Sequence, residues 1–356
     1  MSWQGIEGHD DVAESFRRAI RRGRLATTFL FVGPPGVGKR TFAEKLAQAL
    51  LCQHTKTDPL EPCGRCPSCA QAAAGTHPDL LKVAKPKDKS AIPVELFIGP
   101  EERRMREGLC HDIALRPHLG GRKVAIIQDA DDLNREGANC LLKVLEEPPP
   151  RSIVILIGAS AERQLPTIRS RAQIVRFQPL PTEVVAQLLL RHEIAENPDD
   201  ARRIAAYSAG SLERASEWND AELWQFRETL LKHLSAAVLQ SLSLAKSVGA
   251  LVDAAGKEAP ARRARLRQVL EIAAEFYRES LRTASGAPPS GDAELHAAAT
   301  QWASRGGMRP EVATRCVDCC LQAVADIDRN ANQTTLIECW ADELSQLATG
   351  RRPATV

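Results

Sequence analysis

The sequence predicts an α/β domain built on a parallel sheet, followed by a chain that is helical to its end. Three observations predict it: short apolar runs with strand character, helical stretches between them, and the loss of every strand signal after residue 178. The runs TFLFV (28–32), KVAIIQ (123–128), SIVILIG (152–158) and AQIVRF (172–177) are β-branched or aromatic and do not alternate with polar residues. Strands covered on both faces read this way. Lys39 to Leu51, after a cluster of glycines, and Glu136 to Leu145, ahead of the stop EEPPP, read as helices. Strand and helix in alternation make a parallel sheet with crossover helices. Beyond FQPLP (177–181) the chain is rich in alanine and leucine with scattered charge, and Pro179 and Pro181 supply a linker. GSLER (210–214) and TASGAPPSGD (283–292) interrupt the helical pattern. The expected domains are therefore 1–178, 179–235 and 236–356, without internal repeats.

Bulk properties narrow the function classes. At 356 residues the chain exceeds what one core supports. Lysine plus arginine number 47 against 45 acidic residues, a formal charge of +2, so any contact with a polyanion must be local. The apolar runs are too short to span a bilayer, and MSWQGIEGHDD lacks the layout of an export signal, so a cytoplasmic protein without a membrane partner is expected. Ten cysteines in such a chain, four of them bunched, favour metal over disulfides.

GPPGVGKRT (33–41) nearly spells the phosphate loop G-x-x-x-x-G-K-[ST]. It follows a predicted strand and opens a predicted helix, the context in which backbone N–H groups cradle phosphates and a lysine reaches the outer ones. Gly33, Gly36, Val37, Gly38, Lys39, Arg40 and Thr41 are the candidate site for ATP or ADP. The bland alternative is a glycine-rich turn without ligand. Hydrolysis is another matter, because Arg40 stands where a magnesium-binding hydroxyl belongs and a guanidinium only donates. Thr41 is turned away by about 100° of helix. The second magnesium anchor should be acidic and close a buried strand. Here the strand ends in Gln128, with Asp129 at the place of a catalytic acid. Two motifs have lost the group that serves one ion, so nucleotide is expected to be held without competent hydrolysis. The alternative is a substitute geometry in which Asp129 or Asp131 reaches in.

LCQHTKTDPLEPCGRCPSCA places Cys52, Cys63, Cys66 and Cys69 in the pattern C-x10-C-x2-C-x2-C. Four thiolates complete a tetrahedral Zn²⁺ site with no open position, so a structural ion is expected. His54 and His77 are weaker substitutes for a ligand. CVDCC (316–320) lies in a helical stretch without a companion pair and reads as buried apolar cysteines.

The GPPGVGK loop, the cysteine module directly after its helix, NCLLKVLEEPPP (139–150) and LPTIRSRAQIVRF (165–177) together resemble bacterial DNA polymerase III clamp-loader subunits of the AAA+ class. The resemblance is close over the first 180 residues and looser beyond, where it rests on FQPLP and SAGSLERA (208–215). It implies a RecA-like AAA+ domain with an inserted zinc module, an all-helical lid and a helical collar. The gamma and tau ATPases of this family have a full GK[ST], an acidic strand end and an arginine directly after GSL; this chain has Arg40, Gln128 and Glu213 there. Those departures resemble the delta-prime type, a stator, and the alternative is a working gamma/tau-type ATPase. The implied partners are gamma/tau and delta subunits and, through the complex, the sliding clamp and primed DNA. The family's SRC motif, here Ser170, Arg171 and Ala172, implies that Arg171 acts as an arginine finger on a neighbour's nucleotide. In other nucleotidases such a finger is worth about 10³–10⁵ in rate. An ordinary surface arginine is the alternative, and Arg169 is a less apt finger. FRRAIRRGR (16–24) reads as a solvated basic helix face, and KPKDK (85–89) as an exposed loop. The helix NCLLKVLEE (139–147) either contacts partners or buttresses the sheet.

Overall fold

In the computed structural model, which describes residues 3–54, 57–119, 121–290, 292–304 and 310–348, the chain forms two compact units, residues 1–217 and 218–356. The first is organised by five strands: β1 (Thr28–Val32), β2 (Leu80–Val83), β3 (Lys123–Ile127), β4 (Ser152–Gly158) and β5 (Gln173–Arg176). All neighbours are parallel, in the order β2-β3-β4-β1-β5. Strands β1, β3 and β4 are buried along their whole length, which explains their unbroken apolar sequences. Strand β2 has no counterpart among the sequence expectations. It is a four-residue edge strand buried only at its ends, too short and too mixed to carry a periodic signal.

Successive side chains of a strand point to opposite faces, so each strand feeds two cores. Phe29 and Phe31 face Phe16 of helix Asp10–Arg21 and Phe42 of helix Lys39–Leu51, with Ile153 and Ile155 beside them. Phe31 lies 5.9 Å from Phe42 and 5.1 Å from Phe177, centroid to centroid. Leu30 and Val32 point the other way, toward Phe97, Ile113 and Leu141. Each such buried side chain contributes roughly 1.5–3 kcal/mol. Helix Arg135–Glu146 packs on this second face through Ala138, Leu141, Val144 and Leu145, and its cap Asn134 accepts the N–H of Gly137 at 2.7 Å. Three further helices of the first unit follow β5: Thr182–Arg191, Pro198–Tyr207 and Leu212–Glu217.

Among the described residues of the second unit, every regular element is a helix. Its centre is the 26-residue helix Ala259–Ala284, which packs against helix Pro310–Asp328. Phe276, Tyr277, Cys316, Cys320 and Trp340 are buried there. Burial pushes the Cys316 and Cys320 thiols up to about 12, so these cysteines stay protonated and pack as apolar groups. The fully buried Glu279 accepts from His296 at 2.8 Å and from the Ser290 N–H at 3.2 Å. Among the described residues no helix is long and apolar enough to cross a membrane.

Candidate nucleotide and metal sites

The chain leaves β1 through Gly33 and reaches helix Lys39–Leu51 after five residues. Glycine is required where this loop meets other backbone. A Cβ on Gly33 would lie 2.3 Å from the Phe177 carbonyl oxygen, just past β5. At Gly36, whose φ is +70°, a Cβ would come within 2.1 Å of Ser211 Oγ and 2.6 Å of Glu213 Cβ. Leu212 donates its N–H to the Gly36 carbonyl at 3.0 Å.

Lys39 is buried, and its Nζ donates to the carbonyls of Gly33 and Pro34, each at 2.5 Å. Burial pulls its pKa below the ordinary lysine value, while Asp131 and Glu213 partly offset this. His9 has no motif to mark it in the sequence, yet its Nε2 donates to the Val37 carbonyl at 2.7 Å and its ring meets Phe177 edge-on at 4.8 Å. A carbonyl accepts only, so Nε2 carries the proton. Burial holds this imidazole below its ordinary pKa.

The ion anchors fare differently. Arg40 is exposed, with Nε 3.4 Å from Glu44 on the next helical turn, and Thr41 is also exposed. Gln128 follows the last residue of β3 and donates its N–H to the Val83 carbonyl at 2.8 Å. Asp129 sits in a left-handed conformation and accepts the Lys85 N–H at 3.2 Å. Both oxygens of Asp131 are engaged, one with the Ala159 N–H at 2.6 Å and the other with Gln164 Nε2 at 2.5 Å. Asp131 thus fastens the end of β4.

Arg171 follows the short helix Pro166–Arg169 and precedes β5. Its Nη1 donates to the Thr167 carbonyl and to Ser170 Oγ, both at 3.0 Å, and its Nη2 lies 2.7 Å from Glu146 Oε1. Arg169 is exposed.

At the far end of helix Lys39–Leu51 the fold gathers the cysteines. The sulfurs of Cys52, Cys63, Cys66 and Cys69 lie within 4.8 Å of one another, and those of Cys63 and Cys69 are 3.9 Å apart. Tetrahedral Zn–S bonds of about 2.3 Å require sulfurs about 3.8 Å apart, so the group fits a metal such as zinc. Backbone N–H groups of Cys63, Cys66 and Cys69 point at the sulfurs of Cys52, Cys63 and Cys66 at 3.3, 3.3 and 3.4 Å. The Arg65 and Cys66 N–H groups bring the Cys63 thiol down to about 6, whereas burial pushes Cys69 up to about 12. A cation bound among them would let all four ionise together. His54 and His77 lie outside this group. His77 accepts the Asp79 N–H at Nδ1 (3.0 Å), which leaves Nε2–H to donate to Ser68 Oγ at 2.5 Å; Ser68 in turn donates to the Leu51 carbonyl at 2.8 Å. The module is bolted to the phosphate-loop helix through that chain.

Comparison with known proteins places this geometry. Residues 8–181 match the family described as DNA polymerase III, delta subunit. DNA polymerase III subunit delta' of Pseudomonas aeruginosa is 35% identical over 191 residues, covering 53% of this chain and 55% of that one. The Escherichia coli subunit delta' is 33% identical over 225 residues, covering 63% and 64%. The gamma/tau subunit of Mycobacterium tuberculosis is 32% identical over 190 residues, covering 53% and 31%. The matched part of the chain spans a little over half to two thirds of the delta' relatives' length. It is through residues 8–181, just under half of its length, which hold the glycine-rich loop, the four cysteines and Arg171, that the chain is similar to the DNA polymerase III delta subunit family.

Proposed function

We propose that this protein is a delta-prime-like stator of the DNA polymerase III clamp loader, a fixed member that braces ATPase subunits during loading of the sliding clamp onto primed DNA. The observation that carries the reading is the state of the magnesium anchors: Arg40 and Gln128 occupy them, and Asp129 and Asp131 spend carboxylate oxygens on Lys85, Ala159 and Gln164. A chain with a guanidinium in one place and only a neutral amide in the other lacks the hydroxyl and the carboxylate that hold the ion transfer requires. ATP or ADP, where it binds, is held by the loop from Gly33 to Thr41 as a static ligand.

In this reading residues 1–178 form an AAA+ domain, 179–235 a helical lid and 236–356 a helical collar, and the protein works in the cytoplasm. The collar and lid assemble with gamma/tau and delta subunits, which bring the clamp and DNA. Zinc in the four-cysteine module is structural. Arg171 serves as an arginine finger in trans, where its charge neutralises a γ-phosphate during transfer.

The test is turnover. The purified chain alone should hydrolyse no more ATP than a Lys39→Ala variant, and mixing it with the clamp-loader subunits of the same organism should give a stoichiometric complex. Magnesium-dependent turnover by the unmodified chain, at rates typical of an ATPase, would overturn the stator reading.

A further inference from the structure

Helix Arg135–Glu146 ends on a carboxylate that meets Arg171 across 25 residues of sequence: Glu146 Oε1 lies 2.7 Å from Nη2. The helix carrying Glu146 is anchored by four buried side chains, and it packs against the short helix that presents Arg171. Two more acceptors hold the same guanidinium, the Thr167 carbonyl and Ser170 Oγ, both on Nη1 at 3.0 Å. Ser170 Oγ is itself fixed by donating to the Thr167 carbonyl at 3.1 Å.

The donor count gives this arrangement its meaning. A guanidinium has five N–H groups. Nη1 donates twice, Nη2 lies in the ion pair with Glu146, and among the described residues Nε–H has no protein acceptor. We propose that Glu146 is the positioning residue of the Arg171 finger, with Thr167 and Ser170 completing the clamp, so that the Nε and Nη2 edge of the guanidinium is presented to a phosphate of a neighbouring subunit's nucleotide. This rests on the reading of Arg171 as a finger. The pair is partly exposed, 34% for Arg171 and 49% for Glu146, and a surface ion pair adds little to folding stability. What it does supply is order: an arginine side chain is flexible, and reach without orientation gives a weak transition-state contact.

The experiment uses the reconstituted clamp-loader complex and its steady-state ATPase. Arg171→Ala should lower kcat most. Glu146→Ala should lower kcat by about 3- to 10-fold with KM unchanged, and the double variant should match Arg171→Ala alone. Glu146→Gln, which keeps a carbonyl acceptor, should recover most of the rate. Glu146→Asp, which keeps the charge but withdraws it by one methylene, should fall between and guards against a folding defect in the alanine variant. A Glu146→Ala complex as fast as wild type beside a slow Arg171→Ala complex would overturn the positioning role and leave the finger standing. Further slowing by Glu146→Ala in the Arg171→Ala background would also overturn it. Full activity of Arg171→Ala would remove the finger and the positioning role together.

Discussion

Leu212 donates its backbone N–H to the carbonyl of Gly36, so the first turn of helix Leu212–Glu217 sits directly on the phosphate loop. Sequence positions 176 residues apart are joined there, and the junction leaves no room for a side chain. Gly36→Ala combines a left-handed backbone with a Cβ only 2.1 Å from Ser211 Oγ and 2.9 Å from the Glu213 nitrogen. It should destabilise the first unit by about 2–4 kcal/mol. Denaturant unfolding checks this; an unchanged midpoint would mean the loop and helix separate freely.

The four-cysteine group should hold one zinc per chain. Chelation should lower the melting temperature, and Zn²⁺ but not Mg²⁺ should restore it, because thiolates are soft ligands. Cys69→Ser, at the buried corner of the group, should reduce both metal content and melting temperature. Elemental analysis with a thermal melt reads both.

His9 gives stability a pH dependence of known sign. Its folded pKa is below the ordinary 6.5 because burial penalises the charged ring, so the unfolded chain takes up the proton first. The stabilisation is present above about pH 6.5 and is lost as pH falls toward the folded value. The zinc-saturated protein should therefore melt progressively lower as pH drops from 7.5 through 6.5. His9→Gln should flatten that slope; an equally steep slope in the variant would assign the effect elsewhere, His77 being the next buried imidazole with a lowered pKa.

In the second unit, Glu279 is fully buried and ties the loop after helix Ala259–Ala284 to His296. Removing a buried carboxylate leaves its donors unsatisfied, so Glu279→Ala should cost about 2–4 kcal/mol. Chemical denaturation followed by tryptophan fluorescence measures it through Trp302 and Trp340, both buried in this unit.

Much of the candidate site was legible along the chain because its information is local. The glycines of the phosphate loop, the register of Lys39, the loss of a hydroxyl at Arg40 and the spacing of the four cysteines are set within a few residues of one another. So are the strands that became β1, β3 and β4, whose burial on both faces leaves an unbroken apolar run. Edge strand β2, half exposed, left none.

What stayed illegible depends on segments meeting from a distance. No pattern in the sequence ties His9 to Val37, Ser68 to His77 and Leu51, or Asp131 to the end of β4. NCLLKVLEE reads equally as a partner contact or a buttress until the fold sets Glu146 against Arg171. Residue type and local spacing determined which groups this protein has to offer: a glycine-rich loop leading to Lys39 and Arg40, four thiols and an arginine before a strand. Only the tertiary structure decided how those groups are aimed. Direction comes from hydrogen bonds and packing between segments far apart in sequence, and neither leaves a periodic trace in the chain.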